Sequence, residues 1–290
     1  MNKNKKPQPR EWKKIALTWK DMLPPSRPSL GDIRVYDSFA KQEIKKGKPF
    51  KVLILGATPE LRDLLSRYCL LGYDLKVFLL DINPEMIRAM DSLVVIKGKR
   101  EKKIIGDWLK TPFNNDFFNL VVGDEVMINI KKEERTDLLK EVSRILKPDG
   151  AFILRASYVN PRARKFTVKK SLAKYAEMYF QNKLSLTQIM NYLFEEFWEL
   201  SYFRNKKNLI SLKFLENDFK KELVSPGSTK WLLKRFLENS KALFNQYWSW
   251  EPKTEQLKRF KKYFKVEQYE AADDYFYSHI LSIYYLKSKK

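Results

Sequence analysis

From Phe50 onward, short apolar runs alternate with amphipathic stretches, and this alternation constrains the fold more than any other feature of the chain. Strands separated by helices can form a parallel sheet, because each helix returns the chain to the edge where the next strand begins. The apolar runs predict strands over Lys51 to Leu55, Asp74 to Leu80, Lys103 to Gly106, Phe118 to Gly123 and Ala151 to Ser157. Helical spacing predicts helices over Pro59 to Leu71, Pro84 to Asp91 and Lys132 to Leu146. The pattern therefore indicates an α/β domain with a mostly parallel sheet.

The chain before this pattern has a different character. Residues 1–48, including Trp12 and Trp19, are basic and pass through a stiff, proline-rich stretch. Ser29 is a good N-cap for a helix that apolar spacing predicts over Leu30 to Lys45. We expect these residues to form an N-terminal arm with a helix that acts as a lid.

After the fifth predicted strand the alternation stops, and long amphipathic segments such as Leu186 to Arg204 and Thr229 to Trp250 predict helices. Two further strands, Phe264 to Tyr269 and His279 to Lys287, are predicted to form an antiparallel pair. The predicted organisation is an arm (1–48), an α/β core (49–159), a helical insertion (160–260) and two terminal strands of the core sheet (261–290).

The charge of the chain leaves two kinds of partner open. Its 290 residues carry a formal net charge of +22, and most of the cations are lysines. A basic surface attracts phosphate, but arginine is the better residue for bidentate phosphate recognition. A solvated, lysine-rich surface is the preferred interpretation, and a nucleic acid or other polyanion is the alternative. One cysteine excludes disulfides within the chain and cysteine-based metal sites.

The sequence contains no feature of a membrane protein. The first residues lack the apolar segment of a signal peptide, and no stretch of about 18 uncharged apolar residues occurs. We therefore expect a soluble, cytoplasmic protein without membrane insertion. The oligomeric state is not indicated by the sequence.

The loop after the first strand has the features of a ligand-binding turn. It reads Gly56-Ala57-Thr58-Pro59-Glu60, in which Thr58 can cap the next helix and Pro59 can occupy its first turn. A helix N-terminus presents backbone N–H groups to a ligand carboxylate. We expect the loop to hold part of a cofactor.

A second candidate contact follows the second strand, which ends in Asp81-Ile82-Asn83. A carboxylate at the carboxyl edge of a parallel strand can accept hydrogen bonds from two ribose hydroxyls. A nicotinamide dinucleotide would also require a G-x-G-x-x-G loop for its pyrophosphate, whereas this chain has Thr58 and Glu60 after Gly56. S-adenosylmethionine (SAM), a sulfonium cation without phosphate, suits this loop better.

The third and fourth strands end in further polar residues. Asp107 and Trp108 follow the third strand, and Gly123 and Asp124 end the fourth. With these residues in place, the chain resembles class I SAM-dependent methyltransferases. The resemblance implies that Asp107 binds the adenine amino group, that Trp108 packs on the ring, and that Gly123 and Asp124 border the methyl donor.

The run from Leu139 to Phe152, which contains Lys147-Pro148-Asp149-Gly150, is similar to the helix, turn and fifth strand of this family. The resemblance covers about residues 50–158, and the two terminal strands extend it. It implies a Rossmann-like sheet of seven strands, mostly parallel with an antiparallel last strand, and a helical insertion between strands five and six. It also implies SAM as cofactor and methyl transfer to an acceptor.

The chain departs from the family pattern in its glycine loop. Many members have an acid two residues before the first glycine and further glycines two and four residues after it, where this chain has Ile54, Thr58 and Glu60. Glu60 could contact the methionine amino group instead. A non-catalytic SAM-binding or nucleoside-binding module and an RNA-directed methyltransferase or RNA-binding protein remain alternatives.

The favoured acceptor is a small, aromatic or hydrophobic molecule, because the predicted insertion is rich in aromatic residues. Formal candidates for a general base are Asp124, Glu125, Tyr158 and the single histidine, His279. Most of the aromatic residues are expected in the core, and a few in an acceptor pocket: Tyr175, Tyr179, Phe180, Tyr192, Phe197, Trp198, Tyr202, Trp231, Phe244, Tyr247, Trp248 and Trp250.

Overall fold

The computed structural model describes residue 19 and residues 22–96, 101–205, 209–225, 227–241 and 243–290. Trp12, assigned to the arm by the sequence, lies outside the described residues. The chain divides into two compact units. The first comprises Met1–Tyr158 and Lys253–Lys290, and the second comprises Val159–Pro252.

The described elements alternate between strands and helices as far as the third strand, and the fourth strand follows the third without a helix between them. The strands are β1 (Phe50–Leu55), β2 (Leu75–Asp81), β3 (Lys102–Ile105), β4 (Phe118–Asp124), β5 (Leu146–Ser157), β6 (Leu209–Ile210), β7 (Trp248–Ser249), β8 (Phe264–Glu270) and β9 (Leu281–Ser288). The α-helices are α1 (Leu30–Glu43), α2 (Pro59–Leu70), α3 (Pro84–Asp91), α4 (Arg135–Ile145), α5 (Val168–Phe180), α6 (Leu186–Tyr202), α7 (Glu216–Val224), α8 (Lys230–Asn239) and α9 (Lys253–Tyr263).

The first unit contains a seven-stranded sheet in the order β3-β2-β1-β4-β5-β9-β8. Strands β1 to β5 pair in parallel, and β9 runs antiparallel to both β5 and β8. The predicted Rossmann-like sheet, with its antiparallel last strand, is therefore confirmed.

The sheet is buried on both faces because the inner strands are apolar at successive positions. In β1, Val52 and Ile54 belong to a core cluster with side chains of α1 and α2. Leu53 and Leu55 point to the opposite face, in a cluster with side chains of α4 and α9. Burial of each such side chain contributes about 1.5–3 kcal/mol, so these alternating contacts fix which face each helix covers.

Helix α1 begins with the N-cap predicted from the sequence. The Ser29 hydroxyl accepts a bond from Asp32 N at 2.9 Å, and Ser29 N donates to Asp32 Oδ2 at 2.9 Å, which forms a capping box. The helix buries Val35, Tyr36 and Phe39 in the core cluster of the sheet. Within the arm proposed from the sequence, this helix is thus part of the packed core.

Two predicted boundaries near the fifth strand differ from the structure. Helix α4 begins at Arg135 rather than Lys132. The stretch Lys147 to Gly150, predicted as a turn, already belongs to β5, which follows α4 without a gap and has Asp149 at φ 59°. Pairing of Leu146 with Phe118 of β4 explains this early start, because sheet pairing is a long-range interaction.

The second unit is helical, with α5 to α8 and the two-stranded sheet of β6 and β7. The helix predicted over Leu186 to Arg204 corresponds to α6. A single helix over Thr229 to Trp250 is wrong, because α8 ends at Asn239 and Trp248 pairs with Ile210 in the small sheet. Aromatic residues favour strands, and this pairing overrides the helical periodicity.

Among the helices of the described residues, none combines the length and apolarity that crossing a bilayer requires.

Candidate cofactor site

The ends of four neighbouring parallel strands bring the predicted cofactor residues to one edge of the sheet. Gly56 follows β1, and Asp81 ends β2. In register, Leu55 pairs with Leu80 of β2 and with Gly123 of β4, while Asp81 pairs with Ile105 of β3. Asp107 and Trp108 follow β3 directly. This is the edge at which open α/β sheets bind ligands.

The loop after β1 depends on the backbone freedom of glycine. Gly56 has φ +95°, and its N–H donates to Leu80 O at 2.9 Å, which ties the loop to the end of β2. Pro59 lies in the first turn of α2, as predicted. The buried Thr58 occupies the N-cap position, but its side chain makes no capping hydrogen bond, so that prediction is wrong. The contact of Thr58 with the helix comes from its backbone instead, because its carbonyl oxygen accepts from Arg62 N at 3.3 Å.

Glu60, in the first turn of α2, is held by Arg27, which precedes α1 in the chain. Arg27 Nε donates to Glu60 Oε1 at 2.6 Å, and Arg27 also donates to Trp19 O at 3.4 Å. Glu60 Oε2 is buried and has no partner among the described residues. A buried carboxylate oxygen without a partner is a group that a bound N–H donor would satisfy.

Asp81 is a buried carboxylate at the tip of β2. Its Oδ1 accepts from Asn83 N at 2.8 Å, and burial raises the pKa of Asp81 to about 6, against the lowering effect of these backbone hydrogen bonds. Ile82 between them is 53% exposed and presents an apolar surface at the edge.

Asn83, which the sequence predicts as a cofactor contact, also caps a helix. Its Oδ1 caps helix α3 by accepting from Glu85 N at 2.9 Å and Met86 N at 3.2 Å. Its Nδ2 is buried and lacks a partner in the described part of the chain. The amide oxygen is therefore used by the fold, while the amide nitrogen can donate to a ligand.

Trp108 forms a wall of this edge. Its Nε1 donates to Leu80 O at 2.8 Å, and its ring carbon Cζ2 lies 3.6 Å from the position that a Cβ on Gly56 would occupy. The indole therefore lies against the glycine loop. Asp107 Oδ1 accepts from Leu109 N at 3.0 Å, which orients the carboxylate beside the indole.

Asp124, predicted to border the methyl donor, is engaged in a buried ion pair. Arg155 Nε donates to Asp124 Oδ1 at 2.6 Å, and Arg155 also contacts Asp32 of α1 at 2.8 Å. Burial raises the pKa of Asp124 to about 6, while Arg155 acts to lower it. Gly123 O accepts from the Tyr36 hydroxyl at 2.7 Å. These contacts tie the end of β4 to α1, and no local sequence pattern indicated Arg155 or Asp32 as partners.

Glu125, immediately after β4, is the candidate general base with the most unusual backbone. It has φ 50°, and its Oε2 accepts from the Ser157 hydroxyl at 2.8 Å. A non-glycine residue in the left-handed region is uncommon, and such residues are frequent at functional sites. The carboxylate is thus held between the ends of β4 and β5.

The other two candidate bases, Tyr158 and His279, lie near each other after the end of β5 and before β9. The Tyr158 hydroxyl donates to His279 O at 2.7 Å, and Lys253 Nζ lies 4.8 Å from the centroid of the Tyr158 ring. His279 lies in a short 3-10 helix, Ser278–Ile280, rather than at the start of the last strand as predicted. Its Nδ1 is 3.2 Å from Phe276 O. Its predicted position was wrong because the first residues of that segment do not pair with β5, whose pairing begins with Leu281.

The residues at this edge fit SAM. Carboxylates at Glu60 and Asp81 suit its amino group and ribose, and the two unpartnered buried atoms, Glu60 Oε2 and Asn83 Nδ2, are available for polar contacts. A pyrophosphate would meet the Glu60 carboxylate at a loop that has only one glycine. Within the described ranges, no group of three or more His, Cys, Asp or Glu side chains could hold a metal ion.

A match to a known protein family lies within the first unit. The model of a family described as a methyltransferase domain matches residues 60–154. No curated protein sequence matches the chain significantly.

Three solved structures illustrate the similarity in fold. A SAM-dependent methyltransferase from Methanosarcina mazei has a TM-score of 0.51 and 12% identity, covering 86% of this chain and 96% of its own. The N-methyltransferase NodS from Bradyrhizobium japonicum, in complex with S-adenosylhomocysteine (SAH), has a TM-score of 0.51 and 7% identity, covering 96% and 99%. A Rhodobacter sphaeroides protein named for zinc-dependent alcohol dehydrogenases has a TM-score of 0.60 and 13% identity, covering 97% and 98%.

At these identities, the structural similarity shows the fold alone, and the dehydrogenase name of the third protein stays with that protein. The family match begins at Glu60 and ends in β5, so it includes the ends of β2, β3 and β4 but not β1 or Gly56. This match identifies residues 60–154 as part of a methyltransferase domain, and the sheet has the fold of SAM-dependent methyltransferases, whose cofactor is SAM.

Proposed function

We propose that this protein transfers the methyl group of SAM to a small, aromatic or hydrophobic acceptor at the carboxyl edge of β1 to β5. The observation that carries this proposal is the convergence of Gly56, Asp81 and Asp107 at the ends of three adjacent strands. Each has the chemistry that one part of SAM requires.

The residues at the edge divide the recognition of SAM among them. Asp81 accepts hydrogen bonds from the ribose hydroxyls, and Asp107 accepts one from the adenine amino group. Trp108 and Ile82 supply apolar surface for the adenine ring. Glu60 receives the methionine amino group through Oε2, the oxygen that Arg27 leaves unpaired. Ala57 and Thr58 place backbone N–H groups of the loop near the methionine carboxylate.

Bound SAM supplies an electrophilic methyl group on a sulfonium, so transfer requires alignment and exclusion of water rather than a covalent enzyme intermediate. Glu125 is the residue placed to accept a proton from the acceptor. The hydrogen bond from the Ser157 hydroxyl holds the Glu125 Oε2 atom in place. The left-handed backbone of Glu125 directly follows the end of β4. Asp124 is less suitable, because Arg155 holds its carboxylate in an ion pair.

The acceptor class rests on the aromatic residues of the second unit. Tyr175, Phe197, Trp198, Trp248 and Trp250 are buried and form its core. The remaining aromatic candidates are at least partly exposed: Tyr179, Phe180, Tyr192, Tyr202, Trp231, Phe244 and Tyr247. That residues 160–260 build an acceptor pocket stays a prediction.

Calorimetric titration of the full chain with SAM, SAH and NADH tests the cofactor assignment. We expect SAM and SAH to bind and NADH to bind more weakly, with SAM affinity reduced in Asp107→Asn and unchanged in Asp137→Asn, an exposed carboxylate on α4. Tighter binding of NADH than of SAM would reject the assignment.

The acceptor can be found separately by incubation with SAM carrying an isotopically labelled methyl group. The protein is mixed with the small-molecule fraction or the RNA fraction of a cell extract, and the labelled product is identified by mass spectrometry. Label in a small aromatic or hydrophobic product supports the proposed acceptor class, and label only in RNA contradicts it. Glu125→Gln should slow transfer without weakening SAM binding.

A further inference from the structure

An exposed cluster of aromatic rings lies at the junction of α5 and α8 in the second unit. Tyr179 and Phe180 end α5, and Trp231 is the second residue of α8. The ring centroids are 5.3 Å apart for Tyr179 and Trp231, 5.7 Å for Tyr179 and Phe180, and 6.1 Å for Phe180 and Trp231. Phe180 is 65% exposed and Tyr179 is 37% exposed. The three rings pack against one another, and Trp231 is partly exposed.

A groove continues from this aromatic cluster (Tyr179, Phe180 and Trp231) into the following loop. It has a volume of about 440 Å³ and is lined by Tyr179, Phe180, Asn182, Leu184 and Ser185. Asn182 has φ 54°, and Lys183 N donates to Met178 O at 2.9 Å, so the loop closes the end of α5. The groove therefore has one aromatic wall and one polar wall.

Cationic side chains flank the aromatic cluster. Lys183 is exposed and lies between two lining residues of the groove. Lys234 and Arg235 are exposed and follow Trp231 by three and four positions in α8, which places them on the same side of the helix. Lys230 precedes Trp231.

The acids in this region offset little of this charge. Glu177 bonds to Gln181 at 2.9 Å, and Glu238 lies 3.8 Å from Arg235. Over residues 159–252 there are 17 Lys or Arg and nine Asp or Glu. Four of those acids, Glu195, Glu196, Glu199 and Glu251, are buried. The solvent-facing charge of this unit is therefore strongly positive.

We propose that the aromatic cluster and its flanking cations bind single-stranded nucleic acid. Exposed aromatic faces stack on unpaired bases, and cations beside them neutralise the phosphates that link successive nucleotides. In a duplex the faces of the bases are stacked on one another, so a duplex could contact only the cations and not the aromatic rings. The proposal goes beyond the proposed function and holds whichever molecule accepts the methyl group.

Fluorescence anisotropy with a labelled 12-nucleotide RNA, the full chain and low salt tests this inference. We expect Phe180→Ala to raise the Kd about 5-fold or more, since stacking of one base contributes at least that factor. Phe180→Trp should restore binding because it keeps a stacking face. Phe276→Ala is the matched control, because Phe276 is 59% exposed in the first unit and should leave the Kd unchanged.

The role of the flanking cations is tested by measuring RNA binding at a series of salt concentrations. Each phosphate contact contributes to the slope of log Kd against log salt, so Lys183→Ala combined with Lys234→Ala should make that slope shallower. An unchanged slope would show that these lysines do not contact phosphates, which would contradict the proposal.

Three further outcomes would overturn the inference. They are equal affinity for the 12-nucleotide strand and its duplex, binding of anionic phospholipid vesicles without binding of RNA, and self-association that Phe180→Ala abolishes while RNA does not bind. SAM affinity is measured on the same variants and should not change. A variant that loses RNA binding but keeps SAM binding concerns this inference alone. A protein that binds RNA but not SAM would contradict the proposed function and leave this inference intact.

Discussion

The guanidinium of Arg155 and the carboxylate of Asp124 form an ion pair that is closed to solvent. Nε and Oδ1 are 2.6 Å apart, and the side chains are 0% and 3% exposed. Asp32 of α1 shares the guanidinium at 2.8 Å, and the Tyr36 hydroxyl accepts from Arg155 N at 2.7 Å. A single arginine thus connects α1 with the ends of β4 and β5.

Removal of this arginine should destabilise the first unit strongly. Arg155→Met leaves the carboxylates of Asp124 and Asp32 buried without a cation, and breaking a buried pair in this way costs about 3–5 kcal/mol. Urea unfolding measures the loss. Lys41→Ala, which breaks an exposed pair with Asp37, is the control and should change stability by less than about 1 kcal/mol. Equal midpoints for the two variants would show that the buried pair is not stabilising.

Replacement of Asp81 by asparagine should weaken SAM binding but stabilise the protein in the absence of SAM. Charge-assisted hydrogen bonds contribute about 1.5–3 kcal/mol each, so Asp81→Asn should weaken SAM binding by roughly 10-fold or more. Burial raises the pKa of Asp81 to about 6, which means that the folded protein binds this proton more tightly than the unfolded chain does. The wild type therefore loses stability from this residue as pH rises from about 4 to 6.

The asparagine side chain introduced by Asp81→Asn carries no charge at any of these pH values, so this loss is absent in the variant. Without SAM, the variant should exceed the wild type in unfolding free energy by about 1–3 kcal/mol at pH 7.5 and by less at pH 4. Asp137→Asn, on the surface of α4, serves as the control. A variant that is less stable than the wild type at pH 7.5 would contradict the assigned burial effect.

Gly56 should not tolerate a side chain. At φ +95°, alanine strains the backbone by about 1–3 kcal/mol, although its Cβ would be in ordinary van der Waals contact with Trp108 Cζ2, at 3.6 Å. Gly56→Ala should therefore lower both thermal stability and SAM affinity. Gly72→Ala provides a control, because Gly72 also has a positive φ, of +84°, but has no neighbour near the added Cβ and lies away from the edge. Loss of SAM affinity in both variants to the same extent would indicate a general effect on folding.

Glu199 should make the second unit less stable at alkaline pH. Burial, together with the neighbouring Glu195 and Glu196, raises the pKa of Glu199 to about 8, although Asn160 acts to lower it. The folded state binds the proton more tightly, so unfolding free energy falls as pH rises from about 4.5 to 8.

Glu199→Gln removes that pH dependence and should be more stable than the wild type by about 2–4 kcal/mol at pH 9, with a smaller gain at pH 5. Denaturant unfolding followed by tryptophan fluorescence measures the difference. Glu177→Gln, an exposed carboxylate on α5, is the comparison variant. A constant difference between Glu199→Gln and wild type across this pH range would contradict the raised pKa.

The local sequence was sufficient to predict the strands and helices of the first unit and a mostly parallel sheet. Strand β1 and its neighbours carry apolar residues at successive positions, and the helices between them carry apolar residues at helical spacing. Both patterns report contacts among residues that are close along the chain, so strand type and order of elements could be predicted. Because parallel strands end at the same edge, the positions of Gly56, Asp81 and Asp107 at one edge also followed from the sequence.

Tertiary structure alone decided the contacts between distant segments. Arg155 and Asp32 are 123 positions apart, and no periodicity relates them. Trp108 packs beside Gly56 because the ends of β1, β2 and β3 meet, and the pairing of Trp248 with Ile210 interrupts a segment that local spacing assigns to a helix. Local pattern reflects short-range geometry, whereas burial of charge and pairing of distant strands depend on which segments the whole fold brings together.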